Sequence, residues 1–375
     1  MTEHTARRTR LLTVAEHPEA VGGAEIAQLR VVEGLAAEGW EVELLAVRAG
    51  DLSTRWEAVA ATTRVVAASQ PRRDAPVGSG LASLRTLALV ARSRAEVIYL
   101  HNPAELVVAL PAARLGRKPV VVHLHLPPPS GQPAWLNRLL RGVDAVVVPS
   151  EDARRRWSQT AGLRADAVTA IPTGIDGSGF APLGEEARRG VRQLLGLAVD
   201  RPVVLYAGRV DPTKGVRVLV DAVRAMQVPV QLAICGPETD PVFAAELRRT
   251  TRDEDVAWLG RQRELAPVLA SVDVTVLPSL VPETQGLVVA EAMSCGTPAV
   301  GSSVGGLPET LAGFPDHLFP AGDAEALAAR LDRLADWRRT QPGLGAASRQ
   351  WVGDHLDVRT TVRAVSGVLD RAGRT

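Results

Sequence analysis

Two glutamates, Glu283 and Glu291, stand eight positions apart in Pro278-Ser279-Leu280-Val281-Pro282-Glu283-Thr284-Gln285-Gly286-Leu287-Val288-Val289-Ala290-Glu291. The stretch reads as a loop ending at Glu283 and a helix starting near Gly286. Taken at helical rise, eight residues advance about 12 Å and turn about 800°, leaving the carboxylates within roughly a quarter turn of one face. That is longer than the roughly 5 to 9.5 Å between the carboxylates of a glycoside-hydrolysing pair. Between the two, the N–H groups of Gly286, Leu287 and Val288 would point at an anion. Such an arrangement suits a ligand with hydroxyls at both ends and phosphates between. The bland alternative is a buried helix with a solvated Glu283 and a capping Glu291.

A second block carries cations. Tyr206-Ala207-Gly208-Arg209 ends an apolar run, and Asp211-Pro212-Thr213-Lys214-Gly215 leads into a helical pattern. A guanidinium clamps phosphate oxygens in pairs, whereas an ammonium acts as a point charge. Of 43 basic residues only two, Lys118 and Lys214, are lysines, so a lysine at 214 suggests that a compact ammonium is wanted there. The competing reading is ordinary surface charge. In the first half, His123 and His125 lie at i, i+2 on a strand and so face one side, which a metal could exploit. No third ligand stands near them in sequence, and no metal site is expected.

These residues must be positioned by an alternation of β-branched runs and amphipathic stretches. Strands are expected at 11–15, 41–47, 97–101, 120–124, 145–148 and 168–171, then at 203–207, 231–235, 256–259, 274–277 and 299–301, with helices between. That pattern predicts an α/β fold of two parallel-sheet, Rossmann-like domains. The expected domains are 1–178 and 186–345, with a helical tail, 346–375, packing back on the first. In open parallel sheets ligands bind beyond the carboxyl ends of the strands, where the residues above fall.

With these blocks in place, the chain resembles the family 4 retaining glycosyltransferases of GT-B fold, whose signature is two glutamates in this setting. Ala292-Met293-Ser294-Cys295-Gly296-Thr297-Pro298 and Gly305-Gly306-Leu307-Pro308-Glu309 are similar to the family's continuation. The resemblance implies two domains facing across a cleft, acceptor on the first and nucleotide-sugar on the second. It implies that Glu283 contacts the transferred sugar, Glu291 binds ribose hydroxyls, and Arg209 and Lys214 hold the diphosphate beside Gly208. His125 is the histidine expected beside the donor sugar, with His101 on the same rim. Gly22-Gly23 resembles the family's glycine-rich loop, although two glycines also fit a structural turn. Gly236 is what remains of a double-glycine turn, and Arg261 occupies the place of nucleobase contacts. Thr284-Gln285 stands where many relatives carry an aromatic residue, so sugar choice is not implied.

The implied activity is metal-independent hexosyl transfer with retained configuration. A nucleotide-sugar, UDP-sugar favoured, serves as co-substrate without other cofactor, and the acceptor is a small molecule, lipid or glycan. Alternatives are a non-catalytic sugar-nucleotide sensor, or a phosphorylase or epimerase on the same fold. Formal net charge is +1, so no global field recruits nucleic acid. The basic, apolar stretches 135–141 and 154–157 leave room for weak peripheral membrane contact. Arg7, Arg8 and Arg10 precede the apolar run 11–15, which is too short for a secretory segment, and no run is long enough to span a bilayer. A cytoplasmic location is therefore expected. Cys235 and Cys295, in apolar surroundings, read as core residues.

Overall fold

The computed structural model describes residues 9–15, 23–67 and 76–374. The chain forms two compact units, Met1–Pro172 with Val358–Thr375, and Thr173–Asp357.

The first unit holds a seven-stranded parallel sheet. In chain order its strands are β1 (Arg10–Ala15), β2 (Glu41–Ala46), β3 (Thr62–Val65), β4 (Val97–Leu100), β5 (Val120–His123), β6 (Ala145–Val148) and β7 (Val168–Ala170). Their spatial order is β3-β2-β1-β4-β5-β6-β7. The central runs are apolar on both faces because helices cover both. Leu12, Val14, Ile98, Leu100 and Val122 enter one core cluster, while their neighbours Leu11, Val97, Tyr99 and Val121 enter another. This is the period-two alternation of a strand buried on each side. The apolar run 11–15 is thus β1. Edge strand β3 was not expected: Thr62-Thr63-Arg64-Val65 is exposed throughout and shows no apolar pattern.

The second unit repeats the plan with six parallel strands: β8 (Val203–Ala207), β9 (Gln231–Cys235), β10 (Val256–Gly260), β11 (Val274–Leu277), β12 (Ala299–Ser302) and β13 (Leu318–Phe319). They lie in the order β10-β9-β8-β11-β12-β13.

The chain divides at Pro172/Thr173 rather than at 178, and the segment expected to return as one tail is two helices. Leu344–His355 packs within the second unit against helix Leu287–Ser294. Only Val358–Gly373 belongs to the first unit, where Val362, Val365 and Leu369 join Leu29, Val32 and Leu35 of helix Gly23–Ala37. Gly34 permits this approach, since a Cβ there would lie 2.2 Å from Val362 Cγ2. The break falls where Ile175 N–H donates to Leu356 O at 2.7 Å, and beyond it Thr361 Oγ1 donates to Pro172 O at 2.7 Å. Among the described residues no helix is long and apolar enough to cross a membrane.

Candidate functional site

Each sheet reverses its direction of strand addition once, between β1 and β4 and between β8 and β11. At such a point the loops leaving two adjacent parallel strands diverge and open a crevice. The chemistry-bearing residues gather there in both units.

In the second unit Arg209 follows β8 and Lys214 precedes helix Val216–Ala225, while Glu283 lies in the loop after β11. Lys214 Nζ stands 2.6 Å from Glu283 Oε1, with both side chains about 15% exposed (16% and 15%). The same carboxylate oxygen accepts from Ser279 Oγ. Arg209, half exposed, lies 3.4 Å from Asp211 Oδ2, and its carbonyl accepts from Tyr206 Oη. Burial raises the Tyr206 pKa, so the phenol stays protonated and donates. Asp211 also caps the turn carrying Lys214 by accepting from Thr213 N–H at 2.9 Å.

The two loops are locked together. Leu280 N–H donates to Thr213 O at 2.9 Å, and Gly306 N–H donates to Glu283 O at 2.8 Å. Gly215 has φ +67°, and a Cβ there would lie 2.0 Å from Pro278 O, so only glycine lets the lysine turn meet the glutamate loop. Gly236 continues β9 and donates to Gly260 O at 2.9 Å. A Cβ on Gly236 would lie 1.9 Å from Gly208 O. Arg261 is exposed directly after β10.

The helix begins at Leu287 with Gly286 as its left-handed N-cap. Residues 283–286 are therefore not helical, and a separation of the carboxylates taken at helical rise does not apply to them. Glu291 lies just past the first helical turn and is 9% exposed. Val289 N–H donates to Gly286 O at 3.0 Å, so in the first turn it is the N–H groups of Leu287 and Val288 that lack a carbonyl partner in the helix and point out of its N-terminus. Cys235 and Cys295 are buried thiols pushed up to about 11 and about 12 by burial, which makes them inert.

Gln285 does something the sequence did not reveal. Its side chain accepts from Thr173 N–H at 2.7 Å and donates to Thr173 O at 2.9 Å, closing a two-bond clamp on the first residue of the unit. The residue standing in place of the aromatic side chain is therefore structural. Ser279 was also missed, although its position four residues before Glu283 in a loop was a usable signal.

In the first unit the loop after β4 carries His101, and β5 ends at His123 with His125 two residues on. Because β4 and β5 are parallel neighbours in the register Leu100↔Val122, His101 lands beside His123. No third ligand stands near His123 and His125 in sequence, but in space His101 joins them: nitrogens of all three rings lie within 4.8 Å of one another. Rings 123 and 125 stack at 4.0 Å between centroids, and His101 Nδ1 is 3.4 Å from His125 Nε2. The hydroxyl of Tyr99 lies 2.7 Å from His123 Nδ1. Burial keeps that phenol protonated, so it donates, and the proton of a neutral His123 then sits on Nε2.

Burial lowers the pKa of all three histidines, that of His125 to about 4, and mutual repulsion adds to the fall at His101 and His123. They are neutral at physiological pH. Neutral imidazoles can ligate a metal, and they equally hydrogen-bond hydroxyls; His125 at such a pKa is not a proton donor of the imidazolium kind. Gly23 opens helix Gly23–Ala37, and Gly22 lies outside the described residues. Of the two basic, apolar stretches, 154–157 is committed to the protein: Trp157 is buried and donates to Leu126 O at 3.0 Å, while Arg155 and Arg156 pair with Asp152. Trp135 is 53% exposed.

The family model of the group 1 glycosyl transferases matches residues 201–336, and that of Glycosyltransferase Family 4 matches residues 21–178. A GDP-mannose-dependent α-(1-6)-phosphatidylinositol monomannoside mannosyltransferase of Mycolicibacterium smegmatis is 31% identical over 296 residues, covering 72% of this chain and 75% of that protein. The chain belongs to glycosyltransferase family 4. Within this family it is also similar to the D-inositol 3-phosphate glycosyltransferase of Xylanimonas cellulosilytica, 32% identical over 61% of this chain. That match spans 58% of the relative, little more than half its length. The HepE protein of Anabaena, solved with UDP and glucose, superposes with a TM-score of 0.84 at 21% identity, over 97% of this chain and 100% of that one. At that identity the likeness establishes the fold, which is GT-B. The family models together reach both switch points, so the cationic and the imidazole clusters each lie within or beside matched sequence.

Proposed function

We propose that this family 4 chain transfers a hexosyl group from a nucleoside diphosphate sugar to a hydroxyl of an acceptor, retaining the anomeric configuration and needing no divalent metal. The observation that carries the proposal is the Lys214–Glu283 pair at 2.6 Å at the switch point of the second sheet, on loops that also carry Arg209 and lead into helix Leu287–Ser294. Cations and helix N–H groups supply an anion site, and carboxylates on either side of it supply acceptors for sugar and ribose hydroxyls. In this reading Arg209 and Lys214 hold the diphosphate, Glu283 the sugar and Glu291 the ribose. A UDP-linked donor is favoured by the HepE complex with UDP, and GDP is the alternative suggested by the name of the mycobacterial relative.

The bond between the sugar and the β-phosphate breaks as the acceptor oxygen approaches the same face, and the acceptor proton passes to a departing phosphate oxygen. Negative charge grows on that phosphate, so the positioned cations act most strongly in the transition state. His125, neutral at working pH, serves within the first unit as a hydrogen-bonding partner for a ligand hydroxyl.

The test is a thermal-shift panel of nucleotide sugars followed by product analysis with and without EDTA. Stabilisation by one donor and EDTA-resistant formation of the retained anomer are expected. Activity abolished by EDTA and restored by Mg²⁺ would overturn the metal-free anion site, and donor binding without turnover on any acceptor would favour a sensor. Glu291→Ala should raise donor KM with little change in kcat, because a ribose contact is equal in ground and transition states; an unchanged KM would remove Glu291 from the ribose.

A further inference from the structure

A cavity of about 180 Å³ opens in the first unit at the carboxyl ends of β1 and β4. Its polar lining is Glu25, Gln28, His101, Asn102, Glu105 and His125, and no lysine or arginine lines it among the described residues. Two helical N-termini border the cavity and would ordinarily favour an anion, yet both are already supplied by the chain itself. Glu25 occupies the first turn of helix Gly23–Ala37. Asn102 Oδ1 accepts from Ala104 N–H at 3.0 Å, and Glu105 Oε2 accepts from Asn102 N–H at 3.5 Å, forming a capping box.

Among the described lining residues a phosphate or carboxylate would meet two carboxylates and no lysine or arginine, and burial leaves both imidazoles neutral. A hydroxyl meets the opposite situation: it donates to carboxylate or amide oxygens and accepts from amide or imidazole N–H. His101, which lines the cavity, has a buried Nε2 with no hydrogen-bond partner among the described residues. The Trp157 ring contributes an apolar wall. The volume is below the roughly 300 to 1,000 Å³ of drug-sized sites and suits one ring rather than a chain.

We propose that this cavity receives the acceptor as a neutral, multiply hydroxylated ring, a cyclitol or sugar unit, and discriminates against acceptors bearing phosphate on that ring. The proposal rests on the glycosyltransferase reading for the word acceptor, but the binding preference does not.

The experiment is saturation-transfer NMR on the full chain, with and without UDP, using myo-inositol and methyl α-glucoside against myo-inositol 1-phosphate and glucose 6-phosphate. A neutral ring should bind at least about tenfold more tightly than its phosphorylated partner, the size of effect expected from juxtaposed like charges. Glu25→Lys, a change in the partly exposed first helical turn, should narrow that ratio, and His101→Gln should weaken the neutral ring with an unchanged melting temperature. Equal or tighter binding of the phosphorylated rings, absence of binding by either class, or a ratio unmoved by Glu25→Lys would overturn the proposal. A donor thermal shift measured in parallel separates the readings. Its absence breaks the transferase reading and leaves the ring preference standing, whereas a donor shift with preference for phosphorylated rings breaks this inference alone.

Discussion

The two units share a strand order over six strands, with a seventh in the first, and reverse it at equivalent places, yet they treat polar groups there in opposite ways. Beyond β8 and β11 the chain keeps full charges and pairs them, Lys214 with Glu283 and Arg209 with Asp211. Beyond β4 and β5 it places three stacked imidazoles whose burial holds them uncharged. A low-dielectric crevice tolerates charge only in company. The first arrangement is the one suited to an incoming anion in the proposed function; the second offers directional hydrogen bonds without a field. On the proposed reading, similar backbone plans serve as an anion site in one unit and a hydroxyl site in the other through the protonation states that local burial permits.

The contrast is sharpest away from the crevice. In the second unit Asp273, 6% exposed, accepts from Arg192 at 2.5 Å and from Arg188 and Arg338 at 3.1 Å each, and also from Val203 N–H at 2.8 Å. Burial first, and then crowding by the other two arginines, lowers the pKa of Arg338, and the one carboxylate opposes that fall. Asp273→Ala should leave a guanidinium cluster with only backbone carbonyls for Arg192 and cost about 3 to 5 kcal/mol in urea unfolding. A loss under about 1 kcal/mol would show that the second unit does not depend on paired charge.

Next in size is Lys214→Ala. Truncation removes a cation from the growing phosphate charge and leaves Glu283 with the Ser279 hydroxyl as its remaining partner. A fall in kcat of about 100-fold to 1000-fold is expected, corresponding to roughly 2.7 to 4 kcal/mol, with a smaller rise in donor KM. Lys214→Arg should rescue only in part, because the planar guanidinium cannot fit a 2.6 Å point contact between two locked loops. Wild-type kcat and KM in Lys214→Ala would reduce this lysine to a structural partner of Glu283.

Much of this site was legible because local rules and function coincide. Glycine at 215 and 286, proline at 212 and the apolar runs of β8 and β11 announce strand, turn and helix in the order that brings Arg209, Lys214 and Glu283 together. What stayed hidden depended on register between distant segments. That His101 completes a trio follows from the pairing of β4 with β5, which spacing along the chain cannot disclose. The Gln285 clamp on Thr173 spans 112 residues. Edge strand β3 was hidden for a different reason, since an exposed Thr-Thr-Arg-Val run buries nothing and leaves no hydrophobic signature. The tail divided into two helices because Leu356 and Asp357 bond back to Ile175, a tertiary constraint without a helix-stop signal in sequence.

The smallest effect probes the neutral side of the comparison through acid stability. His125 has a folded pKa of about 4 against about 6.5 in an unfolded chain. Between those values the unfolded state binds more protons, so stability present above pH 6.5 is lost as pH falls toward 4 and levels off below it. For this one group the loss between pH 7 and pH 5 is on the order of 2 kcal/mol. Carboxylates titrate in the lower part of the same window, so the informative quantity is the difference between wild type and His125→Gln, each unfolded in urea at pH 7 and pH 5. The glutamine keeps a hydrogen-bonding group but cannot charge, and its stability should fall less than that of the wild type over that interval. Equal pH slopes for the two proteins would mean that His125 takes up its proton in the folded state as readily as in water, and the uncharged character assigned to the first crevice would be lost.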